Sequence, residues 1–363
     1  PQQVISMPPT VQEEDPWYKQ EPEPLPLTIN PLTGLPRPEG MLPGQRPVAV
    51  MVATNQRALP QRGLAAADVI YEMVTEAGIP RLMAVYADYR TVPQVGPVRS
   101  TRDQFVQLAL PQNFILAHIG SSVYGQNLLQ VKKYKTLDGI NLGTMAFLFD
   151  RERLVTRYGN QGSEYCWFTD AGLLWAGMER LDVLTSGDEH ALFRFAKTPA
   201  VPATSAYYVR VKYSAVGNTS FNYDETTGLY NKNMLDMPHA DEDGTRLSYT
   251  NVLVLNIKTG LKVDALLPDF DFTGGEGIYF TAGGATPVQW HKGPPESPLR
   301  IATKDGTMLE VQPGKTFIAF APAGTTTFEA VAYAPKELPA SSSPPPASAS
   351  LPQSTPVPEP PVE

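Results

Sequence analysis

The sequence predicts an α+β protein in which a mixed-sheet α/β domain is followed by a smaller, mostly antiparallel β domain. In the first half, segments 46–54 and 114–119 are apolar on both faces, as interior strands are, and a short helical pattern precedes the second of them. The second half consists of strand patterns separated by five closely spaced turn signals, which favours an antiparallel sheet with little helix.

Both ends of the chain are predicted to lack a folded core. Residues 1–29 are acidic and rich in Pro, and residues 336–363 are rich in Pro and Ser. Neither segment offers enough apolar surface to offset the entropy cost of ordering it. We therefore interpret 1–29 as a disordered tether and 336–363 as a disordered tail. Between them we place the α/β domain at 30–202 and the β domain at 203–335, and we expect the two halves to be separable.

A hairpin is predicted after the first strand. Segment 67–76 alternates in hydrophobicity, and segment 81–88 returns along it after a short turn. Its carboxylates Glu72 and Glu76 are potential partners for nearby arginines, including Arg81 at the start of the return strand.

The stretch 96–125 organises the first domain. Ser100 followed by Asp103 is typical of a capping box, which predicts a helix over about 101–110. The apolar run 114–119 is then a buried strand, and the polar loop 120–122 leaves its carboxyl end. Further along, residues 169–183 have the pattern of an amphipathic helix.

Polar side chains gather around the start of the predicted helix. Arg99 and Arg102 flank its first turn, where free N–H groups already favour an anion. If the helix is the crossover of a β-α-β unit, the loop after the next strand lies at the same sheet edge. The sequence therefore predicts an anion-recognition site formed by five side chains, with Asn55 and Gly120 in support: Arg99, Ser100, Arg102, His118 and Ser121.

An alternative explanation of these arginines is purely structural. Glu72 and Glu76 could neutralise Arg81, Arg99 or Arg102 in an internal salt-bridge network. The two explanations differ in whether the arginines open onto a cleft or are covered by carboxylates.

Composition and motifs exclude several classes of function. The net charge of -8 argues against a nucleic-acid-binding protein that depends on phosphate neutralisation. His118 and Ser121 are three residues apart on a strand and its loop, which does not favour a nucleophilic dyad. The segment around Asp241 and Asp243 lacks the later glutamate of a calcium loop, so we interpret it as a solvated turn. Cys166 is predicted to be a core residue, and we expect no metal and no cofactor.

The chain resembles the YerB-like family of bacterial lipoproteins. The resemblance rests on the ordered segments RPVAVMVATNQRALPQRG, VGPVRSTRDQFVQLA and HIGSS in the first half, and on PHADEDGTRLSYTNVLVLN and TPVQWHKG in the second. It implies an extracytoplasmic protein, often anchored through a lipidated Cys, with a three-layer α/β first domain and no established activity. The positions that it marks are Asn55, Pro60, Gly63, Asp68, Glu72, Arg81, Arg99, Ser100, Arg102, His118, Gly120, Ser121, Asn251, Trp290 and Lys292. Among these positions we expect Asn55, Glu72, Arg81, Gly120, Trp290 and Lys292 to support the anion site.

Two departures from that family pattern matter. Segment 156–170 has no His where relatives commonly carry one, so any chemistry that depends on it would be missing here. The lipidated Cys is absent from this numbering, so membrane attachment through an N-terminal lipid anchor is implied by the resemblance alone.

The resemblance leaves three classes of function open. The favoured one is an extracytoplasmic binding or scaffolding module for an envelope glycan, an anionic ligand or a protein partner. The second is a hydrolase or transferase that acts on envelope glycan with Glu72 or Glu76 as acid/base. The third is a structural envelope protein whose charges are neutralised internally.

Overall fold

The computed structural model describes residues 25–187, 191–198 and 200–331. Most of the predicted tether and the whole predicted tail lie outside these ranges. The α-helices are α1 Asp103–Ala109, α2 Val123–Val131, α3 Gly139–Leu142, α4 Arg151–Tyr158 and α5 Ala171–Leu181. Short 3₁₀ helices occupy Gln56–Ala58, Leu64–Ala66, Glu76–Gly78, Tyr89–Thr91, Leu110–Gln112, Gly143–Met145 and Ser163–Tyr165.

The strands divide unevenly between the two halves. Those of the first half are β1 Val48–Ala53, β2 Val69–Val74, β3 Pro80–Tyr86, β4 Ile115–His118, β5 Leu137–Asp138, β6 Leu148–Phe149, β7 Trp167–Phe168 and β8 Arg194–Phe195. Those of the second half are β9 Thr204–Ser205, β10 Tyr208–Lys212, β11 Asn218–Asp224, β12 Leu229–Met234, β13 Met237–Pro238, β14 Ser248–Tyr249, β15 Asn251–Asn256, β16 Lys258–Leu261, β17 Pro268–Asp271, β18 Gly274–Thr281, β19 Gly284–His291, β20 Arg300–Thr303, β21 Glu310–Val311, β22 Thr316–Ala321 and β23 Thr326–Glu329.

One large sheet runs through both halves. Among the residues described it has 11 strands, in the order β20-β19-β18-β15-β22-β2-β3-β1-β4-β5 with β9 beside β19. The halves meet where β2 pairs in parallel with β22, Val69 opposite Thr316 and Glu72 opposite Ala319. This shared sheet argues against the expectation that the halves separate. The boundary near residue 202 stays a prediction.

The large sheet is the middle of three layers. On one face, antiparallel strands β13-β12-β11-β10-β23, with β14 beside β12, form a second sheet. It packs through Phe221, whose ring centroid lies 5.1 Å from that of Phe317 on β22. On the other face, α1 and α2 contribute Phe105 and Leu129 to a core that contains Tyr71. All six residues of β2 are therefore buried, and successive side chains enter the two cores alternately because both faces of the sheet are covered.

The start of α1 differs from the sequence prediction. The helix begins at Asp103, its N-cap position is Arg102, and no side chain caps it. Ser100 and Thr101 stay extended because the backbone of segment 99–101 is hydrogen-bonded to the segment that ends β4. Thr101 N–H donates to the Gly120 carbonyl at 3.0 Å, and Ile119 N–H donates to the Arg99 carbonyl at 3.2 Å. The predicted capping box is therefore wrong, but the predicted closeness of segment 99–102 to the loop at Gly120 is found.

Candidate functional site

The sequence-predicted site residues lie at one edge of the large sheet. Strand β1 is parallel to β4 and antiparallel to β3, and β3 is antiparallel to β2. The carboxyl ends of β1, β2 and β4 therefore meet the amino end of β3. Asn55, Glu76, Arg81 and the loop at Gly120 follow or begin these strands.

Four arginines collect at this edge, and we call them the arginine edge: Arg57, Arg81, Arg99 and Arg102. Arg102 is held by one carboxylate, because its Nε lies 3.1 Å and its Nη2 2.5 Å from the two oxygens of Glu76. Burial alone would raise the pKa of Glu76, but the hydrogen bonds from Arg102 and the charges of Arg102 and Arg81 outweigh it and lower that pKa. The structural explanation therefore applies to Arg102.

Arg81 is the buried member of the arginine edge. Its Nη1 donates to the Ser100 carbonyl at 2.8 Å, its Nη2 lies 3.9 Å from Glu76, and its Nε has no partner among the described residues. Burial and the neighbouring charge of Arg102 lower its pKa to about 9. A second anion at this edge would oppose that repulsion.

Arg99 and Arg57 form the open part of the arginine edge. Their guanidinium carbons lie 5.5 Å and 5.3 Å from the ring centroid of Tyr165. Arg99 Nη1 also donates to the Glu164 carbonyl at 3.4 Å. Within the described ranges neither arginine forms a salt bridge with a carboxylate. Asn55 fixes the position of the Tyr165 ring by donating from Nδ2 to the Tyr165 hydroxyl at 2.6 Å.

The other predicted site residues are close by but engaged within the loop. His118 is fully buried, with Nδ1 donating to the Gly120 carbonyl at 2.8 Å and Nε2 2.9 Å from the Thr136 hydroxyl. Burial lowers its pKa and so favours the neutral ring. Ser121 donates its hydroxyl to the Ser122 carbonyl at 3.0 Å. These contacts shape the loop around positive-φ Gly120.

Glu72 does not neutralise the arginines, contrary to the structural alternative. Its Oε2 accepts a hydrogen bond from the Tyr213 hydroxyl at 2.9 Å, and its side chain is 1% exposed. Successive side chains of a strand point to opposite faces of the sheet. Glu72 therefore lies on the face covered by the second sheet, whereas Arg81, which pairs with Met73, lies on the other face. Glu72 and Glu76 therefore have separate surroundings, Glu72 beside Tyr213 and Glu76 beside Arg102.

The two supporting residues of the second half are remote in strand order. Trp290 is buried on β19, and its Nε1 donates to the Asn256 carbonyl at 3.1 Å. Lys292 follows the same strand, and its Nζ donates to the Pro294 carbonyl at 3.0 Å. Six strands separate β19 from β4 in the sheet, so these residues do not join the arginine edge.

A second set of arginines links the two halves, and we call it the arginine bridge: Arg62, Arg153 and Arg157 with Asp150 and Glu242. Arg62 lies 2.9 Å from Asp150 and also pairs with Glu242. Arg153 lies 3.3 Å from Glu242 and donates to the carbonyls of Ala58, Pro60 and Tyr165. The guanidinium groups here have acceptors on most sides.

The loop at Asp241 and Asp243 is a turn in which Asp243 is exposed, as its sequence indicates, but Asp241 is buried. Asp241 is 8% exposed and accepts hydrogen bonds from the backbone N–H groups of Leu64 and Ala65 at 3.1 Å and 2.8 Å. Burial raises its pKa to about 6. The carboxylate thereby holds the second half against the 3₁₀ turn at Leu64–Ala66, a contact that no local pattern encodes.

Sequence reasoning missed Arg57 and Tyr165. Arg57 follows the carboxyl end of β1, and polar residues at that position could have drawn attention to it. Tyr165 arrives from a distant loop, and only its place beside buried Cys166 was apparent from the sequence. Among the described residues, no group of three potential ligands could hold a metal ion. In the same ranges no helix has the length and apolarity needed to cross a bilayer.

Comparison with known proteins identifies the same relatives in sequence and in structure. The N-terminal domain of the family described as "Protein of unknown function (DUF3048)" matches residues 32–183, and its C-terminal domain matches residues 209–318. The Bacillus subtilis (strain 168) protein named "Putative lipoprotein YerB" is 28% identical over 298 residues, which is 80% of this chain and 86% of that protein.

A solved structure matches as well. The crystal structure of the YerB protein from Bacillus subtilis superimposes with a TM-score of 0.73 at 24% identity, covering 83% of this chain and 99% of that chain. At this identity the likeness shows the fold, and it confirms the predicted fold class and the resemblance to YerB-like proteins.

Proposed function

The chain belongs to the DUF3048 family, and on that basis we propose that it is an extracytoplasmic, lipid-anchored binding module that recognises a carboxylate or phosphate at the arginine edge. The placement outside the cytoplasm is supported by the relative that is named as a lipoprotein. The binding role is supported by the chemistry of the arginine edge.

One observation carries the proposed ligand class: among the described residues, the carboxylate of Glu76 lies near only two of the four guanidinium groups, those of Arg102 and Arg81. Glu76 neutralises Arg102 and lies at the limit of contact with Arg81. Arg57 lies over the rings of Tyr158 and Tyr165, and Arg99 contacts the Tyr165 ring and the Glu164 carbonyl. Guanidinium groups are always charged and match carboxylate or phosphate oxygens in pairs. An anion between Arg57 and Arg99 would gain charge-assisted hydrogen bonds and relieve the repulsion among the cations.

The supporting shell of this proposed site is preorganised. Asn55 holds the Tyr165 ring, and Ser100 holds the Arg81 guanidinium through its carbonyl. A ligand therefore meets side chains whose positions are fixed before it binds, which reduces the ordering entropy that binding costs. His118 and Gly120 contribute to this shell through the shape of their loop.

The test is a calorimetric titration of the full chain at low ionic strength with inorganic phosphate and, separately, with acetate. Arg99→Gln should weaken binding at least about tenfold, the size of one charge-assisted hydrogen bond. Arg180→Gln is the matched control, because it removes an exposed arginine on α5 with no contact to the arginine edge. Equal weakening by both substitutions, or binding that persists in Arg99→Gln, would refute the proposed site.

The proposed anchoring has its own test. Cells that express the natural gene would be grown with an alkyne-tagged fatty acid, and the purified protein would be examined for the tag. We expect a labelled protein in the membrane fraction, accessible to a protease added outside the cytoplasm. An unlabelled protein would contradict the anchoring while leaving the anion titration unaffected.

A further inference from the structure

A cavity of about 510 Å³ lies between the two halves, on the opposite face of the sheet edge from the buried guanidinium of Arg81. The first half contributes Asn55, Glu72 and Ile79 to its wall, and the second half contributes Asn218 and Met234. Its volume lies in the usual range of small-molecule sites. None of the arginines of the arginine edge or the arginine bridge lines it, although Asn55 both lines it and holds Tyr165.

The polar lining presents acceptors that lack donors. Tyr213 donates to Oε2 of Glu72, while Oε1 has no hydrogen-bond partner among the described residues. The side-chain oxygen of Asn218 is buried and likewise has no partner in those ranges. Asn218 Oδ1 is a buried acceptor without a donor, which costs free energy, and Glu72 Oε1 belongs to a side chain that lines the cavity. Both atoms therefore favour a ligand that brings N–H or O–H groups.

The charge of Glu72 is also only partly compensated. Lys232 is fully buried in the same region, but its Nζ donates to the Thr219 hydroxyl at 3.1 Å and lies 5.4 Å from the Phe317 ring centroid. It forms no salt bridge with Glu72 in the part of the chain described. A buried carboxylate that has no cation in contact with it favours a cationic donor over a neutral one.

Beyond Glu72, Asn218 and the segment 54–56, the wall is aliphatic or glycine. Ile79, Pro80, Met234 and Leu235 line the cavity beside the two acceptors, and none of the lining side chains is aromatic. Such a wall packs against an alkyl chain and offers no ring face on which a sugar could stack.

We propose that this cavity binds a primary ammonium group on an aliphatic stem, with Glu72 Oε1 and Asn218 Oδ1 as its acceptors. The three N–H donors of an ammonium group satisfy both oxygens, and the stem lies against Met234 and Leu235. Ligands of this class include alkylamines and lysine-like side chains. The cavity is therefore a second site, distinct in face and in charge preference from the arginine edge.

The probe for this site is n-butylammonium chloride, with 1-butanol as its uncharged analogue. Binding is followed by the NMR signal of the Met234 methyl group in methionine-labelled full chain. We expect a saturable shift with a dissociation constant in the millimolar range for n-butylammonium, as suits so small a ligand, and a much weaker response to 1-butanol. A response of equal size to both probes would overturn the proposal.

Substitutions locate the acceptors. Glu72→Gln should weaken n-butylammonium binding at least about tenfold, whereas Glu276→Gln, the same change at an exposed carboxylate on β18, should leave it unchanged. If Glu72→Gln fails to fold, the variants of Asn218 provide the test. Asn218→Asp should tighten n-butylammonium binding several-fold, and Asn218→Leu should weaken it. Unchanged affinity in the folded Asn218 variants would refute the site.

Discussion

The arginine edge and the arginine bridge both consist of arginines, but they differ in how many acceptors the protein supplies to the guanidinium groups. In the bridge, three arginines share Asp150 and Glu242, and Arg153 also donates to three backbone carbonyls. At the edge, Glu76 pairs with Arg102 and lies 3.9 Å from Arg81, whereas Arg57 and Arg99 contact tyrosine rings and one backbone carbonyl. A guanidinium group whose N–H donors are all bonded within the protein has no donor left for a ligand. A guanidinium group with few acceptors in the protein can donate to a bound anion.

This comparison predicts which arginines support the fold and which support binding. Loss of a bridge arginine should lower stability and spare anion binding. Loss of an open edge arginine should do the reverse. Arg102 is intermediate, because it belongs to the edge but is held by Glu76.

The largest expected effect is that of Arg153→Gln. Arg153 is 3% exposed, and its loss leaves three buried carbonyls without their donor and takes one of three arginines from Glu242. The free energy of unfolding should therefore fall by about 3–5 kcal/mol. Urea denaturation measures the change. Arg151→Gln, at an exposed position of the same helix, is the control and should change stability by less than about 0.5 kcal/mol. Similar losses in both variants would contradict the structural role of the bridge.

A smaller effect is expected from the protonation of Asp241 beside the bridge. Its pKa is about 6 when folded and 3.8 in the reference state, so between these values the folded state binds more protons than the unfolded state. The contribution of Asp241 to the free energy of unfolding should therefore fall by about 2 kcal/mol as pH rises from about 4 to 6.

Asp241→Asn isolates this contribution, since the amide does not titrate. Urea denaturation of both proteins across this pH range should give a stability difference that changes with pH in the stated direction. A pH-independent difference would show that burial does not raise the pKa of Asp241.

Arg102→Gln should have a smaller effect again, about 1 kcal/mol. It removes both hydrogen bonds to Glu76, but that carboxylate is 41% exposed and can be rehydrated. Thermal unfolding at low and high salt measures the loss, which should shrink at high salt. A loss as large as that of Arg153→Gln would place Arg102 in the same class as the bridge.

The sequence could predict those features that depend on neighbours along the chain. The interior strands, the hairpin and the antiparallel second half follow from hydrophobic periodicity and turn signals. The closeness of Arg99 to Gly120 was also predictable, because a short helix returns the chain to the same sheet edge.

Features that depend on contacts between distant segments could not be predicted. Tyr165, which contacts Arg99, belongs to a separate loop. Two residues of the second half contact the first half: Tyr213 donates to Glu72, and Asp241 accepts from Leu64 N–H. The capping box failed for a related reason, because the strand pairing of Thr101 keeps the chain extended where local propensity favours a helix start. In each case tertiary contacts outweighed the local pattern.

The central claim is that the open arginines of the edge, and not those of the bridge, are available to an anion. The most direct measurement is to follow the Nε–Hε NMR signals of all these arginines in one sample during titration with inorganic phosphate. The account predicts saturable shifts for Arg99 and Arg57 with a common dissociation constant, and no saturable shift for Arg62 or Arg153. Shifts of equal size in both clusters, or none at Arg99, would contradict it.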